Sequence, residues 1–81
     1  MFSSNDELYK ALKVISEEFR NNGKTDVAQR IDDAMYSGCT SGEVLGDILV
    51  TLTDLSKIGT FTGSKYDGVI NAMISDINKA L

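Results

Sequence analysis

The side chains able to do chemistry in this chain are few. Histidine is absent and there is one cysteine, Cys39. Without histidine there is no imidazole general base, no Ser-His-Asp or Cys-His pairing and no imidazole metal ligand. One cysteine gives neither an internal disulfide nor a multi-thiolate zinc site. Carboxylates remain, and they do acid–base work only when two of them converge. The adjacent pairs Glu17/Glu18 and Asp32/Asp33 point about 100° apart on a helix and so diverge. Asp47 and Asp54 share a helix face but stand about two turns apart. These acids read as solvated charges, and Glu17 has Arg20 three residues on as an ion-pair partner. Cys39 lies just ahead of a helix N-terminus, a place that favours a thiolate. Its spacing to Val44 is also that of a hydrophobic staple, which buries such a residue.

Two ligand loops come close and fail. Gly23-Lys24-Thr25 matches the end of a phosphate loop, but the position five before Gly23 is Glu18, where the loop needs glycine. A helix, not a strand, precedes it. A calcium loop framed on Gly23 would need ligands at Glu18, Arg20 and Asn22 and a glutamate at Gln29; Arg20 and Gln29 break it. No metal or cofactor is therefore expected, and no catalysis.

The elements carrying these residues read as four helices. The first spans about Asn5 to Asn22, with Ser4 and Glu7 at capping-box spacing and Leu8, Leu12, Ile15 and Phe19 on one stripe. Gly23 stops it. The second spans about Asp26 to Ser37, with Thr25 as N-cap and Val27, Ala28, Ile31, Ala34 and Met35 as its apolar face. The third spans about Ser41 to Ile58. It is capped by Thr40 and Glu43 and carries the widest stripe: Val44, Leu45, Ile48, Leu49, Leu52, Leu55 and Ile58. Val50, Thr51 and Thr53 lean towards strand, but the helical period of the segment outweighs them. Gly42 and Gly46 weaken this helix, and their spacing of four suggests close approach of a neighbouring helix. The fourth spans about Lys65 to Ala80, with Ser64 and Asp67 as cap and Val69, Ile70, Met73, Ile74 and Ile77 as its face. Short connections suit antiparallel neighbours. The expected fold is all-α: a single domain forming a compact antiparallel four-helix bundle, with the third helix at its centre.

The net charge over 81 residues is −4. It is not spread evenly: residues 26–56 hold six acids and one base, Arg30. Such a balance argues against nucleic acid, which recruits clustered Lys and Arg. No run approaches the roughly 20 apolar residues of a membrane span, and no basic-then-apolar leader pattern is visible. With one cysteine, a reducing cytoplasm is expected. The acidic middle is either a solubilising face or a steering surface for a basic partner. Phe61, in the longest loop, is either a docking anchor or a lid tucked under the bundle. Tyr36 and Tyr9 lie at stripe edges, where a hydroxyl can reach a partner.

The run from Leu12 through Phe19, Gly23, Ala28, Ile31, Ala34, Gly38 and Glu43 to Leu45 resembles a class of small bacterial helical proteins, some of them immunity-like partners of toxins. The resemblance covers roughly residues 8–58 and carries over no catalytic or ligand residue. It implies a binding role. The expectation is a protein-binding module that covers a basic surface of a partner such as a toxin, through Asp32, Asp33, Asp47 and Asp54, with Tyr36 and Phe61 as apolar anchors. The alternative is a structural or regulatory homodimer that buries apolar surface of the third or fourth helix.

Overall fold

A computed structural model of the chain describes residues 5–36, 38 and 40–80. Four helices form where the apolar period runs at 3.6: α1 Asn5–Asn21, α2 Thr25–Tyr36, α3 Ser41–Lys57 and α4 Asp67–Ala80. α2 packs on α1 and on α3, and α3 packs on α4. The expected stripes converge on one core. Leu8, Leu12, Ile15 and Phe19 of α1 meet Ala28, Ile31 and Ala34 of α2, Val44, Leu45, Ile48, Leu52 and Leu55 of α3, and Ile70, Met73 and Ile77 of α4. The radius of gyration, 11.6 Å, is close to the ~11.7 Å expected for a tightly packed chain of this length. The fold is thus the expected all-α helical bundle, with short connections between helices that are neighbours in sequence.

Backbone chemistry sets the joints. Past α1, Gly23 takes φ 84°, its N–H donates to the Arg20 carbonyl at 3.1 Å, and the Lys24 N–H donates to the Phe19 carbonyl at 2.9 Å. The same pair of bonds closes α3, where Gly59 and Thr60 donate to Ser56 and Leu55 at 3.1 and 3.0 Å and Gly59 takes φ 83°. Glycine is favoured at both joints because a Cβ is strained at positive φ. The start of α3 follows its expected cap: the Thr40 hydroxyl accepts from the Glu43 N–H at 3.2 Å. Ser4, Ser37 and Cys39, the other expected cap, end and staple residues, lie outside the described residues.

Four expectations change. The first bond of α2 runs from the Ala28 N–H to the Lys24 carbonyl, so Lys24 holds the N-cap place and Thr25 is already helical. α4 begins at Asp67, because the Ile70 N–H donates to the Tyr66 carbonyl at 2.8 Å. Ser64 instead shapes the turn before it, donating to the Phe61 carbonyl at 2.7 Å and accepting from the Tyr66 N–H. No helix approaches Gly42 or Gly46, since a Cβ at either would have nothing within 4 Å. Gly38 is the glycine that close packing demands: a Cβ there would lie 2.8 Å from the Glu43 Cβ and 2.9 Å from the Val44 nitrogen. Finally, Ile58 is exposed, because α3 ends before it and its side chain leaves the stripe.

Candidate functional site

The acids of the middle helices divide into two kinds once the helices are placed. Asp32 faces the α1–α2 seam. Its Oδ1 accepts from the Ser16 hydroxyl at 2.7 Å, and its Oδ2 pairs with the Arg20 Nη2 at 2.5 Å. Ser16 is fully buried and also lies 3.3 Å from the Ala28 carbonyl. Burial raises the Asp32 carboxyl, but hydrogen bonds from Arg20 and Ser16 and the charges of Arg20 and Lys13 outweigh it. The carboxyl is held below its ordinary range. The expected partner-binding role of Asp32 is therefore corrected: its carboxylate is spent inside the chain, tying α2 to α1.

Asp33 points the other way. It is exposed and accepts from the Gln29 Nε2 at 2.8 Å, one helical turn back. Together with Asp47 of α3 it lines an open groove of about 320 Å³ on the outer surface between the two helices. Arg30, Ala34, Val50 and Thr51 complete the lining. Asp47, Val50, Thr51 and Asp54 stand at i, i+3, i+4 and i+7, one stripe along α3. Asp54 is exposed one turn past the groove. Tyr36, at the C-terminal end of α2, is 70% exposed. The structure thus brings Asp33 beside Asp47 across two helices, with Asp54 exposed further along α3 and Tyr36 exposed at the end of α2.

Phe61 is the second correction. It is 1% exposed and packs edge-on against Phe19, with ring centroids 5.7 Å apart. The turn held by Ser64 folds the loop back over the end of α1, so Phe61 is a core residue and cannot anchor a partner. The Tyr66 ring also lies against Phe19, with centroids 6.1 Å apart, and Lys65 pairs with Glu18 at 2.7 Å. Glu18, Phe19, Asn22, Ser64, Lys65 and Tyr66 frame a second, smaller cavity of about 200 Å³.

The groove has members that the sequence reading did not select. Val50 is 60% exposed, and Arg30 stands one turn before Asp33 on α2. The available signal was Val50 itself: a large apolar residue off the α3 stripe, in a segment whose other members obey the stripe. Among the described residues, no three His, Cys, Asp or Glu side chains gather where a metal ion could be held. No helix among them is long and apolar enough to cross a membrane. Comparison with protein-family models, curated protein sequences and solved structures finds no match to this chain.

Proposed function

We propose that this chain is a small acidic protein-binding module that neutralises a partner by covering a basic surface, in the manner of an immunity protein or inhibitor. It acts by occlusion and performs no chemistry. The carrying observation is the α2–α3 groove, where Asp33 and Asp47 flank a largely exposed Val50. Apolar surface flanked by two acids, with Arg30 as the one base in the lining, suits a protein interface: the apolar part supplies affinity, and the charge supplies partner choice and rate of encounter. The resemblance of residues 8–58 to small bacterial proteins that pair with toxins supports the same reading and suggests a toxin as the partner, met in the cytoplasm.

The test uses the whole chain as bait in an extract of its native host, beside an Asp33→Lys/Asp47→Lys variant. A partner held by the unaltered chain, released as salt rises and not captured by the variant, is the expected result. Equal capture by both baits at every salt concentration overturns the reading.

A homodimer is the second reading. It is favoured by Ile58, 72% exposed at the end of α3, and by the partly exposed Val69 at the start of α4. Sedimentation at micromolar concentration decides it: a monomer removes this reading.

A further inference from the structure

We propose that the occupant of the α2–α3 groove is a single amphipathic helix of the partner, about 12 residues long, basic on the flanks of its apolar ridge. The inference rests on the protein-binding reading above and specifies what that partner presents. Three features of the groove carry it.

The first is shape. The floor holds Ala34 and Thr51, two small side chains, while Val50 stands on the α3 side. A furrow between two packed helices with small residues at its base admits the ridge of a third helix, as in bundle packing. α2 is 12 residues long, about 18 Å, and sets the length of guest that both walls can touch.

The second is hydrogen bonding. Along α2 and α3 the backbone donors and acceptors are spent within the helices, so the groove offers a guest side chains only. An extended segment laid there would leave its own N–H and C=O groups without protein partners. A helix arrives with them already satisfied.

The third is charge. Asp33 lies on one wall and Asp47 on the other, with Asp54 about two turns beyond Asp47 on α3. Lys or Arg on both flanks of the guest ridge meets them, and the same acids repel a nucleic acid or an anionic lipid surface. Arg30, on the Asp33 wall, departs from this pattern. It disfavours a guest that is basic throughout and favours an acidic residue, or the carbonyl end of the guest helix, at that position.

The probe is a synthetic peptide of about 14 residues with leucines at helical spacing, lysines on both flanks and one glutamate near its C-terminus. It is compared with a peptide of the same charge carrying proline at its centre, and with an oligolysine. Backbone amide shifts of the full chain are followed during each titration. The expected result is saturable shifts at residues 30–36 and 47–54 with the helical peptide. The proline peptide should bind roughly a hundredfold more weakly, and an Asp33→Asn/Asp47→Asn chain, shown by circular dichroism to stay folded, should bind less tightly. If the proline peptide and the oligolysine shift the same residues with equal affinity, the helix-docking inference is overturned while the acidic-surface reading survives. If no basic peptide produces these shifts, both fail. If the shifts grow with chain concentration before any peptide is added, a second copy fills the groove and the inference is again wrong.

Discussion

Asp32 is committed to the fold, and removing its carboxylate has a cost that can be worked out from its contacts. In Asp32→Ala the chain loses a charge-assisted hydrogen bond from Ser16, whose hydroxyl is fully buried, and an ion pair with Arg20. A hydrogen bond to a charged group contributes about 1.5–3 kcal/mol. The Arg20 side chain is 39% exposed, so solvent screens its share to well under about 1 kcal/mol. Ser16 keeps a long contact to the Ala28 carbonyl at 3.3 Å, which limits the penalty. The expected loss is about 2 kcal/mol, or roughly 8–16 °C in Tm for a domain of this size. Asp32→Asn retains a neutral acceptor for Ser16 but loses the charge that strengthens that bond, together with the pair with Arg20, so it should cost about half as much. The pH dependence has a definite sign. The carboxyl is held below its ordinary value in the folded chain, so its stabilisation is complete above the unfolded value of about 3.9 and is lost as pH falls through the folded value. Urea unfolding followed by circular dichroism, at neutral pH and in steps below about pH 4, measures both effects. An Asp32→Ala chain within about 0.5 kcal/mol of the parent at neutral pH would refute the latch. So would a gap between parent and Asp32→Asn that stays constant on acidification.

Other expectations follow from burial and backbone geometry. Phe61→Ala should cost about 3–5 kcal/mol and approach the whole stability of so small a domain; a loss under about 1 kcal/mol in a urea titration would mean that the ring lies outside the core. Gly46→Ala replaces glycine in a helix with open space around it and should stabilise by about 0.5–1 kcal/mol. Gly38→Ala should destabilise, because its Cβ meets the first turn of α3. Thermal melts that move both alanine variants in the same direction would contradict this account of the two glycines.

The four helices were legible because their stripes are nearly complete and proline is absent. The Thr40 cap and the Gly23 and Gly59 stops were legible for the same local reason. Periodicity fails where it ends: Ile58 lies at stripe spacing but beyond α3, and it is exposed. The 58–66 connection misled because its turn is built from a serine side chain and backbone bonds that also look like an ordinary helix cap. That turn carried Phe61 inward. The candidate site was half legible. Charge counting found the acidic helices, but Asp32 and Asp33 are neighbours in sequence and face different helices, α1 and α3. Only the packing of α2 against α1 and α3 decides which is spent on Arg20 and which faces Asp47. Likewise, the glycine pair of α3 gave no sign that its face is open, since spacing records a face and not what covers it.

The central claim is that the α2–α3 groove is the surface through which this chain binds a protein. Amide hydrogen exchange of the full chain, alone and saturated with the partner captured from its native host, tests it most directly. The account predicts slowed exchange in residues 30–36 and 46–54, with residues 10–20 and 70–80 unchanged. Protection confined to α1 or α4, with the groove residues exchanging as in the free chain, would contradict it.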